Sequence, residues 1–528
     1  ISNGWKQVGT VTLLSHTRFA YQALWQSTLE LSAALGFAGL LGAYLGTLVL
    51  RRLKQPLDAV IEQARAITER RFVTTPESTV PELRQLSQAM NSAVLRLKAM
   101  FDDETNRLET VRREANHDAL TGLANRPYFM ARLRAAVDHE DGLAGSLLLI
   151  RIANLAETNR RLGREVTDEL LQSIGRILEA CANGIPDALA ARLNGADFGL
   201  LLPHGRPHPV ADDLLAALIL KTSALLADQA VAYIGFGKFR RGLDLGGLLA
   251  QVDAALVTAE ATGVSSVQEA ISDDSDDAPH SAEQWSALIH LALQEHRVRL
   301  VSFPVADFAG RLVHRECPLR LMFSPKGEWL PAGRFLPVAE RLGLTTALDL
   351  AAITLGLEQL TQHEDTPGLA VNVSARSVQS SSFRQQLRAL LQANQKASRR
   401  LWLEVAENGA LAHFDAFRSL CQELAGSGCR LGLEHFGRQF SQIGRLHDLG
   451  LDYLKVDASF IRHIEDNPGN QAFLKGLTAI AHNIGMQVFA EGVVNKAELD
   501  VLSQLGFDGA TGPGVSDQPD PDELASAG

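Results

Sequence analysis

The 528-residue chain has only 4 cysteines, 6% aromatic residues and 19 prolines. Cys181, Cys317, Cys421 and Cys429 form no CxxC pair and no zinc-like cluster, which excludes a disulfide scaffold and a structural zinc site. Reduced thiols suit the cytosol. A basic excess is also missing, because 50 Lys and Arg stand against 61 Asp and Glu for a net charge of -11. A chain built to coat a nucleic acid polymer is thereby excluded, and partners have to be read from sites. With 46% hydrophobic and 21% charged residues, wholesale disorder is excluded as well. At about 150 residues per domain, the length points to three or more units.

What the average conceals is one run, residues 31–50, of twenty residues without a charge or a proline. That is long enough to span a bilayer core of about 30 Å as a helix. Gly42 and Gly46 stand in it at GxxxG spacing. Arg51, Arg52 and Lys54 follow directly and Glu30 precedes, so the positive-inside rule puts everything after residue 50 in the cytoplasm. Upstream, residues 8–14 read as a strand leading into a helix from about Arg18. Residues 1–26 are too short to fold alone, and are expected to be the remnant of an extracytoplasmic domain, with Trp5 a candidate surface anchor or a core residue.

Beyond the basic stop, Pro56 opens a helical pattern of Leu57, Val60, Ala64 and Ile67. A connector over 71–81 follows, and a second pattern runs from Leu83 through Leu86, Met90, Val94, Leu97 and Phe101 to Leu108. Two short heptad-like helices under a membrane helix resemble a HAMP domain, which implies a parallel four-helix bundle in a homodimer. The HDALTGLANR run at 117–126 resembles the opening of a GGDEF (diguanylate cyclase) domain. Strand-like runs at 146–152, 198–202 and 230–235 fit that family's ferredoxin-like sheet.

The resemblance places a metal-binding Asp where this chain has Arg151, and a GGDEF turn where it reads Asn194-Gly195-Ala196-Asp197-Phe198. A guanidinium in a two-magnesium site repels the metal, so cyclase activity is not expected. Asn159 and Asp168 fall where the family recognises guanine, which leaves nucleotide binding open; Ile185 and Ala188 replace the inhibitory RxxD site. The acidic run 273–279 reads as a solvated linker.

From about residue 281, short apolar strands at 369–373, 401–405, 430–433, 453–456 and 487–490 alternate with helical stretches. They predict a parallel βα barrel with its site at the carboxyl ends of the strands. The ordered motifs RECPLR (315–320), NVS (372–374), EVAE (404–407), EHFG (434–437), KVD (455–457) and AEGV (490–493) resemble an EAL (cyclic-di-GMP phosphodiesterase) domain. That resemblance puts Glu316, Asn372 and Glu404 at first-metal positions, Glu491 at a further ligand position and Lys455 at the family lysine. It gives Glu407 the task of steadying the neighbouring loop.

Where the family has its acidic pair this chain has Glu434-His435, Thr511 replaces the glutamine before Gly512, and Ser302-Phe303-Pro304 replaces YQP. Histidine is a poor ligand for Mg²⁺, so hydrolysis is expected to be lost or severely reduced, leaving Glu316, Asn372, Glu404 and Glu434 as a vestigial or weak metal set. The nucleotide pocket is expected to keep Glu316, Arg320, Asn372, Lys455 and Glu491, with Phe303 stacking on a guanine. Taken singly, Arg320 also reads as a rim ion pair and Phe303 as core.

The expected layout is a multidomain membrane protein: output-domain remnant 1–26, transmembrane helix 27–50, HAMP bundle 51–103, signalling helix 104–116, α+β ferredoxin-like GGDEF domain 117–270, acidic linker 271–283, and TIM-like EAL barrel 284–528. This order resembles the LapD-type cyclic-di-GMP receptors. The resemblance implies an inner-membrane homodimer with cytoplasmic C-terminal domains that needs no cofactor for binding. It also implies inside-out signalling to a periplasmic protease, controlling adhesin retention and biofilm formation. The alternatives are a weak phosphodiesterase using Mg²⁺ or Mn²⁺, and a pair of non-binding scaffold domains.

Overall fold

The computed structural model describes residues 2–3, 6–7, 17–68, 74, 76, 81–138, 145–203, 207–226, 230–239, 243–270, 282–324 and 327–515. Trp5, the strand expected over 8–14, most of the connector and the acidic run 273–279 lie outside these residues. The chain divides into a first unit, Ile1–Leu97, and a second, Lys98–Gly528.

In the first unit one helix, Thr17–Thr68, carries the apolar run, and its stretch Leu24–Leu48 is long and apolar enough to cross a membrane. Its apolar side chains, among them Trp25, Leu31, Phe37 and Leu40, are exposed, a surface that water does not suit. Two boundaries differ from expectation. The candidate span, Leu24–Leu48, starts three residues before and ends two residues before the expected 27–50, because Leu24 and Trp25 extend it. No new helix starts at Pro56, since the helix runs unbroken to Thr68; strong helix formers on both sides outweigh the one backbone bond that proline removes. A second helix, Pro81–Asn116, continues past the unit boundary and takes in the expected signalling segment without a break. Within the first unit Gln63 Nε2 donates to Asn91 Oδ1 at 3.0 Å, joining the two helices.

In the second unit a six-stranded sheet has Gly145–Ile152 at its centre, antiparallel to Asp197–Leu202 on one side and Ala232–Phe239 on the other. Its core is mostly aliphatic, built from residues such as Leu148, Ile150, Leu200 and Ile234 with Phe198 and Phe236, against the helices Arg164–Asn183 and Pro207–Leu226. Further along, eight strands close into a barrel: Phe303–Ala306, Leu312–Glu316, Leu369–Asn372, Leu401–Ala406, Arg430–Phe436, Tyr453–Val456, Gln487–Ala490 and Gly509–Thr511. The barrel is not wholly parallel as expected. Its first strand runs antiparallel to both neighbours, because a hairpin too short for a helical crossover joins it to the second.

Candidate functional site at the barrel mouth

Side chains two apart on a strand point to the same side, and five barrel strands use this to stack a charged layer on a mostly aromatic one. His314 and Glu316, Trp402 and Glu404, Gly432 and Glu434, Tyr453 and Lys455, and Phe489 and Glu491 are the pairs. In the lower layer the rings of His314 and Trp402 lie 4.0 Å apart, and those of Trp402 and Tyr453 4.8 Å. Gly432 leaves room for this packing, since a Cβ there would meet the Tyr453 ring at 2.5 Å. Burial holds the His314 imidazole well below its usual range, and among the described residues neither ring nitrogen meets a hydrogen-bond partner, so it packs as a neutral ring.

The upper layer is a buried network of charges. Lys455 Nζ donates to Glu404 Oε2 at 2.9 Å and pairs with Glu316. The Tyr453 hydroxyl donates to the other oxygen of Glu404 at 3.2 Å. Burial alone would lower the Lys455 pKa, but the carboxylates Glu316, Glu404, Glu491 and Glu434 hold it well above the usual range, so it stays an ammonium. Burial pushes Glu404 up to about 8 against the pull of Lys455. Glu434 is raised as well, first by burial.

Strand pairing slips between Leu433 and Phe436, and His435 takes a left-handed backbone at φ 52°. This irregularity turns both His435 donors onto one carboxylate: the backbone N–H donates to Glu491 Oε1 at 3.1 Å and Nδ1 lies 2.8 Å from Oε2. Burial opposes protonation, but Glu491 and Asp457 raise the His435 pKa well above the usual range, making it an imidazolium. Asp457, just past the strand that carries Lys455, accepts from Arg438 Nε at 2.9 Å and from the Ser459 amide at 3.0 Å. Burial would raise its pKa, yet Arg438, Arg132 and His435 hold it well below the usual range. The loop bearing Arg438 hangs on Glu407, whose carboxylate accepts the amides of Gly437, Arg438 and Gln439 at 3.3, 2.9 and 3.0 Å.

Of the other sequence-predicted residues, Asn372 ends its strand exposed and in register with Glu404. Phe303 is half-buried on the first strand, opposite Glu316. Arg320 is buried outside the barrel, in the middle strand of a three-stranded sheet between Val298–Leu300 and Leu330–Pro331. Sequence reasoning passed over Arg438 and gave Asp457 no role. The signal for the layering was present in HRE, WLE, GLE, YLK and FAE, all ending one turn of pleat above a ring or a glycine.

In the six-stranded sheet the degenerate turn is tied shut. Arg151 Nε donates to Asp197 Oδ1 at 2.8 Å and its NH1 donates to Glu260 at 3.0 Å, while Asn194 Nδ2 holds Asp197 Oδ2 at 2.8 Å. Arg192 pairs with Asp118 at 3.2 Å from the other side. Asn159 is exposed, and Asp168 faces Arg164 at 3.6 Å.

A model of the diguanylate cyclase GGDEF domain matches residues 115–266, and a model of the EAL domain matches residues 289–518. The chain is a GGDEF–EAL protein. Among curated relatives, the RNase E specificity factor CsrD of Escherichia coli is 26% identical over 419 residues, covering 78% of this chain and 64% of the relative. The cyclic di-GMP phosphodiesterase PdeB of Shewanella oneidensis is 26% identical over 459 residues, covering 82% of this chain and 52% of the relative. The chain thus spans about half to two thirds of the length of these proteins. Among solved structures, the apo S helix-GGDEF-EAL segment of Vibrio cholerae LapD superposes with a TM-score of 0.70 at 22% identity, over 78% of this chain and 99% of that one. The GGDEF and EAL domains therefore share the LapD fold.

The second of the two divalent cations that an EAL phosphodiesterase implies does not fit this donor set. Both oxygens of Glu491 accept from His435, and Asp457 is taken by Arg438 and Ser459. Where the family has the acid that would serve both cations stands His435, whose Nδ1 is turned onto Glu491 at 2.8 Å.

Proposed function

We propose that the chain is a membrane-anchored cyclic-di-GMP receptor of LapD type, whose EAL domain binds the nucleotide without cleaving it. The observation that carries this reading is the mouth of the EAL barrel. There Glu316 and Glu404 are paired with Lys455, and Glu491 with His435. Binding a dianion calls for placed donors rather than metals, and of the residues we assign to the nucleotide Arg320, Asn372 and Lys455 offer donors, Phe303 a face for stacking, and Glu316 and Glu491 acceptors for the N–H groups of the bases. The closed Arg151–Asp197–Glu260 cluster supports a GGDEF domain that signals by contact rather than synthesis. In this reading the Thr17–Thr68 helix anchors a homodimer in the bacterial inner membrane, with both domains cytoplasmic. HAMP helices then carry the nucleotide-bound state outward to an output domain that sequesters a periplasmic protease, controlling biofilm formation.

Calorimetry of the detergent-solubilised chain with cyclic-di-GMP, paired with a product assay, tests the binding claim. Heat of binding without linear dinucleotide is expected, and Arg320→Ala weakens it; absence of binding overturns the reading. A second reading, a Mn²⁺-dependent phosphodiesterase, draws on one observation: ligand atoms of His435, Asp457 and Glu491 all lie within 4.8 Å of one another. Linear product formed under Mn²⁺ and lost in Glu316→Ala favours it.

A further inference from the structure

Four carboxylates at the barrel mouth each meet a side-chain cation: Glu316 and Glu404 meet Lys455, Glu491 meets His435, and Asp457 meets Arg438. We propose that His435 and Arg438 occupy the place of a divalent cation at the mouth, and that Arg438 is the positioning residue that closes the site to metal. The inference rests on the receptor reading for its purpose. Its test uses no nucleotide, so either can fail alone.

The three cations are not equivalent. A metal ion competes with protons, and it can in principle strip one from an imidazolium or an ammonium and take over the freed lone pair. A guanidinium does not deprotonate in proteins and has to be displaced bodily. Arg438 is held against displacement at both ends. Its Nε donates to Asp457 Oδ2 at 2.9 Å with NH2 on the same oxygen, and its NH1 donates to Asp187 Oδ1 of the GGDEF domain at 3.2 Å.

Arg132, from the GGDEF helix Arg126–Asp138, adds a second guanidinium 3.5 Å from the same Asp457 oxygen. The other Asp457 oxygen accepts from the Ser459 amide at 3.0 Å and from its hydroxyl. His435 Nδ1, 3.5 Å from Asp457 Oδ2 and 2.8 Å from Glu491 Oε2, fills the space between the two carboxylates that a cation would need. The counter-charge at the mouth is thus shared with the neighbouring domain through Asp187 and Arg132.

The test is Mn²⁺ binding to the full chain in detergent, read by electron paramagnetic resonance from the signal of free Mn²⁺. Wild type is expected to leave that signal undiminished. The double variant His435→Asp, Arg438→Ala restores an acid and removes the guanidinium, and is expected to raise Mn²⁺ affinity about tenfold or more, the scale of supporting residues around metal ligands. Wild type binding Mn²⁺ as tightly as the double variant overturns the proposal, as does a folded double variant with unchanged affinity. If circular dichroism shows that the double variant does not fold, Arg438→Ala alone is read by the same criteria.

Discussion

Arg151 in the GGDEF domain and His435 in the EAL domain stand where the family resemblance puts metal-binding acids, but the charge clusters of the two domains differ in burial. In the GGDEF domain Arg151 stands on the strand itself and pairs with Asp197 and Glu260, whose side chains are 20% and 45% exposed. In the EAL domain Lys455 and its partner Glu404, in one layer with Glu316, Glu434 and Glu491, are 3% and 2% exposed. Solvent screens the first cluster and leaves it a modest surface tie. The second is a buried network in which each charge needs its partner, because an unpaired buried ion is far more costly than the pair is stabilising. One domain has been closed. The charged layer of the other is buried and paired within itself.

The largest expected effect comes from breaking that buried network. Lys455→Met leaves Glu316 and Glu404 without their cation and is expected to destabilise the EAL domain by about 3–5 kcal/mol in denaturant titration. Adding Glu404→Gln should recover part of the loss, and no loss at all would make the network as dispensable as the Arg151 cluster. Next in size is Gly432→Ala, which pushes a methyl into the Tyr453 ring that supports Glu404. About 1–3 kcal/mol of overpacking cost is expected, measured by the shift in unfolding midpoint.

Acidity sharpens the contrast through its sign. Burial raises Glu407 from an ordinary 4.5 to about 7, so the folded EAL domain holds a proton that the unfolded chain releases across that window. Its contribution is therefore present below pH 4.5 and is lost as pH rises towards 7, with a slope of up to about 1.4 kcal/mol per pH unit. Stability measured from pH 5 to 7 should slope less in Glu407→Gln than in wild type. In the GGDEF domain burial would raise Asp197, but Arg151 lowers it overall. Its contribution is therefore present above its ordinary value of 3.8 and lost as pH falls. The smallest effect is that of Arg151→Ala, under about 1 kcal/mol for a part-exposed pair. A loss of several kcal/mol would place that cluster in the same class as the buried network.

What was legible in the sequence follows from how local each signal is. The apolar run, the helix from about Arg18 and the strands at 453–456 and 487–490 rest on uninterrupted patterns, and the structure places them there. The short strands Phe303–Ala306 and Gly509–Thr511 escaped notice because FPVA carries a proline and GAT only small residues, and with them went the antiparallel first strand. Motif matching brought Glu316, Glu404, Lys455, His435 and Glu491 together. It could not supply Arg438, whose partners Asp457 and Asp187 lie 19 and 251 residues away in sequence. Charge pairing at that separation is a property of the fold.

The account turns on a site that holds cyclic-di-GMP on side chains alone, and the most direct measurement is calorimetric titration of the full chain with cyclic-di-GMP in the presence of EDTA, followed by product analysis. Saturable binding that is unchanged by EDTA, with the nucleotide recovered intact, is the predicted result. Binding that appears only on adding Mn²⁺, together with linear dinucleotide, would contradict it.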